Sequence, residues 1–391
     1  MPINILDDYS NCCGCAGCAD ICPKKCIEMK DDFYGAHPVI NFEKCIDCNK
    51  CVTVCPMNKF PKFNDGCLQK LYSVVGNKND VFNGSSGGAF GIIASYFQKN
   101  GYYICGAMFD EKLKVRHRLY EPNENISALK KSKYVQSNTL GIYSSIKKIL
   151  NDNIGVVFTG TPCQVSALRN YLNKDYENLF CIDIICHGVP SQKIFDEYIL
   201  NLQTSKKINI SKFSFRDKKN KYHHPYGFSY TYNAGTKIKE YHDIYLNSTY
   251  FMAYEKHSIL RESCYSCKYA KIERYSDITL GDFWGIEKYD KSLDSNKGVS
   301  MVIVNTQKGL ELFNTLNLNA KEYSIEIGKQ NNECLNNPAV KPINYYDIKK
   351  SMLLEGYQTT AKKYFKDNHK FLKLLYYSLP LWIRKIIRRS M

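Results

Sequence analysis

From Leu71 onward the chain alternates short, β-branched apolar runs with stretches whose apolar residues recur every three or four positions. The first pattern fits strands buried in a sheet, and the second fits helices with one buried face. Strands are predicted at 103–109, 155–158, 179–185, 228–232, 278–280 and 301–304, and helices at 87–99, 141–150, 163–172, 191–201 and 307–315. Such alternation is the habit of an α/β domain, which we expect over residues 70–325. Residues 326–391 read as a more polar C-terminal region with a basic amphipathic tail.

Residues 1–60 follow a different rule. They carry Cys12-x2-Cys15-x2-Cys18-x3-Cys22-Pro23 and then Cys45-x2-Cys48-x2-Cys51-x3-Cys55-Pro56. This is the spacing that holds cubanes of four irons and four sulfides in bacterial ferredoxins, the fourth Cys of each run serving the other cluster. The expected ligands are Cys12, Cys15, Cys18 and Cys55 for one cubane, and Cys45, Cys48, Cys51 and Cys22 for the other. A zinc ribbon or disulfide framework fits less well, because zinc sites use separated Cys pairs and not triplets closed by Cys-Pro. Gly14, Ala16, Gly17 and Ala19 suit a backbone that wraps a cluster closely and aims its amides at sulfur. Cys13 and Cys26 are expected to be packing residues, Cys67, Cys105 and Cys334 have no assigned role, and residues 60–66 read as a linker.

Three further motifs lie in the α/β part. Ser85, Ser86, Gly87 and Gly88 precede a predicted helix and could cradle a phosphate at its N-terminus, although Ser and Gly clusters are commonly only caps and turns. The segment is neither a Walker loop nor the dinucleotide fingerprint. Gly160-Thr161-Pro162-Cys163-Gln164 and Cys186-His187-Gly188-Val189-Pro190 each follow a predicted strand, so two thiols sit at adjacent strand ends. With Cys264-x2-Cys267 they would suffice for a third cubane or a structural zinc, and spacing does not choose; a nucleophilic Cys163 is a weaker reading. Arg216, Lys218, Lys219 and Lys221 read as a solvated loop, with His223-His224-Pro225-Tyr226 beyond it as a segment that could face substrate.

Taken in order, Ser85-Ser86-Gly87-Gly88-Ala89, Lys133-Tyr134-Val135, the Cys163 and Cys186 motifs, Cys264-x2-Cys267 and Asp282-Phe283-Trp284-Gly285 resemble one family. It is the beta subunit family of coenzyme F420 hydrogenases and dehydrogenases, in the form with a fused N-terminal two-cluster ferredoxin domain. The resemblance covers roughly residues 5–310 and implies an α+β ferredoxin-like module fused to an α/β flavin-binding domain. It further implies FAD, with Ser85, Ser86, Gly87, Gly88 and Lys133 along its diphosphate, and a third 4Fe-4S cluster on Cys163, Cys186, Cys264 and Cys267, Cys181 competing with Cys186. His187 and Asp282 become candidates to shuttle a proton, although a His beside a ligand Cys also serves as a donor to cluster sulfur.

The function so implied is an iron-sulfur flavoprotein oxidoreductase that reduces a small molecule, such as an intermediate of polysaccharide synthesis or another anabolic pathway. The alternative is a non-catalytic electron-transfer subunit of a larger hydrogenase- or dehydrogenase-type complex. Either needs ferredoxin or another redox protein as partner. The formal charge of +16 shrinks once prosthetic groups are counted, since three cubanes and a flavin dinucleotide remove about 8 units. No basic run is interleaved with aromatics, so nucleic acid is not an expected partner. The first residues lack a cleavable leader pattern, and thiol-rich composition without one fits a reducing, cytoplasmic setting. The tail, with 371–377 apolar and Arg384, Lys385, Arg388 and Arg389 cationic, suits either the inner face of a membrane or docking on the body.

Overall fold

The computed structural model describes residues 4–62, 68–220, 224–235, 237–380, 382–384 and 387. Its N-terminal region has a one-turn helix at Gly17–Ile21, a hairpin of β1 (Ile27–Lys30) and β2 (His37–Ile40), and a second short helix at Lys50–Thr53. The two halves repeat each other in backbone as well as in sequence. Ala16 and Asn49, each one residue after the second Cys of its run, share φ 56° and ψ 6°, and Gly14 and Asp47 lie in the left-handed region as well. Only the first copy needs glycine there. A Cβ on Gly14 would stand 2.1 Å from Gln136 Nε2 and 2.7 Å from both Ala36 O and Arg261 Nη1, whereas Asp47 sits on an exposed loop. The glycine in the buried copy thus answers the neighbouring domain as well as the cluster.

The rest of the chain is built on an eight-stranded sheet. Along the chain come β3 (Lys70–Val74), β4 (Tyr103–Phe109), β5 (Val115–Tyr120), β6 (Val156–Gly160) and β7 (Leu179–Ile184). A separate antiparallel sheet of β8 (Asn209–Phe215), β9 (Gly227–Ala234) and β10 (Lys237–Ile244) follows. Then β11 (Ile278–Asp282), β12 (Ser300–Val304) and β13 (Ala320–Tyr323) complete the large sheet in the order β13-β3-β12-β11-β7-β6-β4-β5. Its middle is parallel, β11 to β7, β7 to β6 and β6 to β4, and its flanks are antiparallel. Every predicted strand and helix has an observed counterpart. The pattern did not pick out the N-terminal hairpin, β5 and β13 at the large sheet's edges, β8 and β10 at those of the small sheet, or β3, a half-buried strand inside the large sheet. The helix expected from residue 87 starts at Ala89 because Gly88 takes φ 89° just before it.

The N-terminal region packs into the body rather than hanging from it. Ile5, Leu6, Ile27, Val54 and Met57 share one core with Tyr143, Ile146, Val165 and Leu168 of helices Ile142–Asn151 and Pro162–Leu172. Helices Ala89–Lys99 and Gln307–Thr315 cover the opposite face. Polar contacts hold the first Cys run in register: Arg261 donates to Cys12 O and Ala36 O at 2.7 and 2.8 Å, Gln136 Nε2 to Cys13 O and Gly14 O, and Thr139 Oγ1 to Cys15 O at 2.6 Å. Each satisfies a carbonyl that burial would otherwise strand, at a cost of about 1–3 kcal/mol if lost.

Two expectations change here. Arg216 is not on a solvated loop but is 2 % exposed, and Lys218 Nζ donates to Ser86 O at 2.8 Å. The C-terminal region contributes real core: Tyr345, Ile348 and Met352 of helix Tyr345–Tyr364 are buried. In helix Lys370–Ser378, Leu374 and Tyr377 pack beside Ile244, Leu246 and Met252, while Phe371, Leu372, Leu375 and Trp382 are exposed. No described helix is long and apolar enough to cross a membrane. Linker residues 63–66, Cys67, Lys221, His223 and the tail cations Lys385, Arg388 and Arg389 lie outside the described residues.

Candidate functional site

The cysteines of the two runs form two groups, and each group borrows its fourth member from the other run. Burial raises the Cys18 thiol strongly, and Cys12 and Cys55 raise it further; the Cys55 thiol is raised by burial and again by Cys12. Cys51 is raised by burial and by Cys45 and Cys48, while Cys22, Cys45, Cys48 and Cys51 border one small pocket. Cys26 joins this second group, its sulfur 3.4 Å from that of Cys22 and its thiol pushed up to about 11 by burial and by Cys22. Thiols packed together away from water, as in the first group, resist ionising alone, and a cationic iron core removes that resistance; the second group is more open, with Cys48 exposed and Cys45 half-buried. The donor chemistry therefore fits iron-sulfur clusters.

A third group is assembled from three loops. Cys163 opens helix Pro162–Leu172 after β6, Cys186 follows β7, and Cys264 and Cys267 lie on the turn Glu262–Ser266 and its end. Burial raises the Cys186 thiol well up, with Cys264 and Cys163 adding to it; Cys264 is pushed to about 12 and Cys267 to about 11, again by burial first and then by one another's neighbourhood. Cys181 instead lies within β7, 0 % exposed, in the sheet's core. Among the described residues, no three His, Cys, Asp or Glu side chains close on a point in the way a single metal ion requires. Cys13, expected only to pack, has its thiol raised by Cys15 and lowered by Cys163, so it neighbours both the first and the third groups. Cys334 Sγ lies 3.4 Å from His187 Nδ1, and Cys105 is buried in the core.

These third-group thiols line a cavity of about 380 Å³ at the carboxyl ends of the parallel strands, where open α/β sheets bind ligands. Gly88 to Gly91, at the start of helix Ala89–Lys99, lie on its wall; that helix has no side-chain cap and no acid in its first turn. Its Ala89 amide donates to Ser300 Oγ at 3.4 Å, and the other first-turn amides suit an anion. The other expected phosphate residues are differently employed. Ser86 Oγ donates to Val299 O at 2.7 Å, Ser85 Oγ accepts from Ser132 N at 2.7 Å, and Gly87 turns towards the sheet, where a Cβ would meet Val74 O at 2.2 Å. Lys133 Nζ donates to the carbonyls of Ala128, Leu129, Lys130 and Lys131 at 2.6–3.1 Å, tying a loop at the cavity edge. Burial and Lys131 push that ammonium down to about 7, while the four carbonyls favour its charge.

The two proton-shuttle candidates reach the same cavity in different states. Asp282 is engaged by Arg216 in two bonds of 2.6 and 3.0 Å, and Arg216 also donates to Ser85 O at 2.9 Å and stacks over Tyr226 at 4.7 Å and Trp284 at 5.5 Å. An Asp so paired anchors a buried cation and is poorly placed to move protons. His187 is held below its ordinary range by burial and by His257. Sequence reasoning passed over Glu255, an exposed side chain on the cavity wall whose carboxyl is raised to about 7 by desolvation among its neighbours. Tyr226 lines the cavity and stacks on Trp284, while His224 packs against Tyr377 outside it.

Two family descriptions match this chain, one in each region. Residues 154–328 match the family described as the C-terminal part of the coenzyme F420 hydrogenase/dehydrogenase beta subunit, and residues 11–59 match the 4Fe-4S dicluster domain. The chain is 24 % identical over 334 residues to a coenzyme F420-dependent sulfite reductase of Methanocaldococcus jannaschii, an alignment covering 81 % of this chain and 47 % of that protein. The chain therefore spans about half the length of that relative. An uncharacterized ferredoxin of the same organism is 34 % identical over 58 residues, 15 % of this chain and 75 % of the ferredoxin. A chain of the F420-reducing NiFe hydrogenase complex of Methanosarcina barkeri aligns at 14 % identity and a TM-score of 0.42, covering 76 % of this chain and 92 % of that one.

Proposed function

Starting from a chain that belongs to the coenzyme F420 hydrogenase/dehydrogenase beta subunit family and carries a 4Fe-4S dicluster domain, we propose that it is an iron-sulfur flavoprotein oxidoreductase reducing a small molecule. One observation carries the reading. Four half-buried thiols from three loops meet on the wall of a strand-end cavity, and Cys13 stands between them and the dicluster region. Cys12, Cys15, Cys18 and Cys55, then Cys22, Cys45, Cys48 and Cys51, then Cys163, Cys186, Cys264 and Cys267 would hold three cubanes. The amides at the start of helix Ala89–Lys99 and the neighbouring Lys130 and Lys131 would take the FAD diphosphate. A flavin bound there supplies the conversion between single electrons from clusters and a two-electron hydride.

The chain's own residues supply the setting. Arg216 and Asp282 fix the Tyr226 and Trp284 rings as a flat wall, and the dicluster region closes one side of the cavity against water. Glu255, poised near neutrality, is better suited than Asp282 to give or take the substrate's proton. His187, held neutral by burial, donates or accepts a hydrogen bond without adding charge. A second reading, an electron-transfer subunit serving a separate catalytic chain, is favoured by one fact: the sulfite reductase relative is about twice as long as the matched segment.

Anaerobic reconstitution with iron, sulfide and FAD tests both. Three cubanes require about twelve irons and twelve sulfides per chain, with one flavin; about eight irons would remove the third cluster. Absence of bound flavin would overturn the flavoprotein reading. Flavin reduction through the clusters without turnover of any small molecule until a second protein is added would select the subunit reading.

A further inference from the structure

Helix Lys370–Ser378 carries two apolar faces. Leu374 and Tyr377, three positions apart, pack beside Ile244, Leu246 and Met252 of the body. Phe371, Leu372 and Leu375 share a different face, and with Trp382 beyond the helix they stand 49–71 % exposed. A helix that docks by one face ordinarily turns polar residues to water on the other. Docking on the body therefore accounts for only half of this one. The charge around the bare face has a single sign. From Lys362 to Lys373 the sequence holds five lysines and one acid, Asp367, and Lys373 Nζ donates to that carboxylate at 2.6 Å. Lys362, Lys363 and Lys366 are exposed, and the sequence of residues 374–391 adds four Lys or Arg and no acid.

We infer that this face seats the protein on an anionic lipid bilayer, with Phe371, Leu372, Leu375 and Trp382 at the acyl boundary and the lysines among the headgroup phosphates. Large apolar side chains flanked by cations are the composition of helices that lie in a membrane interface, where Trp also settles. The helix has nine residues and no described helix is long and apolar enough to cross a membrane, so the contact runs along the surface. A second copy of the chain is a poor occupant, since it would bring the same cations against these with no free acid to meet them. The seat lies near the cavity. Tyr377 packs against the His224 ring at 4.4 Å, and His224 Nδ1 accepts from the amide of Tyr226, whose ring lines the cavity.

The test mixes the anaerobically reconstituted full chain with vesicles of phosphatidylcholine, or of phosphatidylcholine with about one third phosphatidylglycerol, and follows co-sedimentation and tryptophan emission. Wild type should bind the anionic vesicles about tenfold more tightly, and less so as salt rises. Of the two tryptophans, Trp382 should give a blue shift on binding that Trp382→Phe abolishes. Phe371→Ser combined with Leu375→Ser should weaken binding about tenfold or more. Lys362→Gln, Lys363→Gln and Lys366→Gln together should weaken it and flatten the salt dependence. Both side-chain sets are exposed, so iron content and unfolding midpoint should stay at the wild-type values and serve as controls. Wild type that ignores both kinds of vesicle, or variants of Phe371 and Leu375 that bind as wild type does, overturn the inference. A dimer seen by sedimentation equilibrium and dissolved by those same substitutions, without vesicle binding, assigns the face to a second copy and overturns it too.

Discussion

The dicluster region and the cavity wall each gather thiols four at a time, by opposite means. In the first, eight cysteines lie between Cys12 and Cys55, and paired left-handed residues, Gly14 with Ala16 and Asp47 with Asn49, shape each turn locally. In the second, Cys163, Cys186 and the Cys264 pair are brought together by the ends of β6 and β7 and a distant turn. The difference teaches where robustness resides. A site written in turns survives damage to the sheet, whereas a site written in topology depends on buried groups far from any sulfur.

The comparison breaks most visibly at Cys186. Cys186→Ser should cost about four of twelve irons per chain and leave the dicluster spectrum unchanged by electron paramagnetic resonance, while Cys181→Ser should cost none. Equal loss in both variants would show that the site is not built as described. Next in size, Arg216→Leu strands Asp282 at 20 % exposure and should lower stability by about 3–5 kcal/mol in urea unfolding, with the third group's iron lost before that of the dicluster region. Loss in the reverse order would contradict the division into local and topological sites.

A smaller effect tests the two repeats against each other. Gly14→Ala adds a Cβ against Gln136 and Arg261 at positive φ and should cost more than about 1 kcal/mol, whereas Asp47→Ala, exposed at the matching position, should cost less. Thermal unfolding of both variants decides it, and equal costs would make the asymmetry of the repeats irrelevant. The smallest effect is a pH slope. Desolvation raises the Glu255 carboxyl towards about 7 in the fold, against 4.5 when unfolded, an effect that its exposure to solvent reduces, so the folded state binds more protons in that window. Its contribution is complete below 4.5 and is lost as pH rises through about 7. Glu255→Gln should flatten that fall in melting temperature between pH 4.5 and 7; an unchanged slope would assign it elsewhere.

Much of the fold was legible because apolar periodicity reports burial one residue at a time. The parallel strands, largely apolar, were read nearly to their ends, while β5, β10 and β13 escaped because edges and exposed ribbons mix Lys, Arg and Glu into their pattern, and the interior strand β3, KLYSV, escaped as well. Within the site, thiols were legible by spacing and by position after strands. Arg216 was not, since a buried Arg and a solvated one look alike until Asp282, Tyr226 and Trp284 surround it. Lys133 misled for the same reason: its charge is visible in the chain, but its four carbonyl partners are set by the turn of the loop.

By itself the sequence determined the cluster-binding chemistry of residues 12–56, because ligand spacing over a few residues fixes which sulfurs can reach a common centre. It also determined the α/β character of the body and the positions of the strand-end thiols. Only the tertiary structure decided that Cys13 lies between two thiol groups and that Asp282 is committed to Arg216. Those facts depend on which side chains meet across segments up to about 150 residues apart, and desolvation acts on the assembled neighbourhood, which no local pattern encodes.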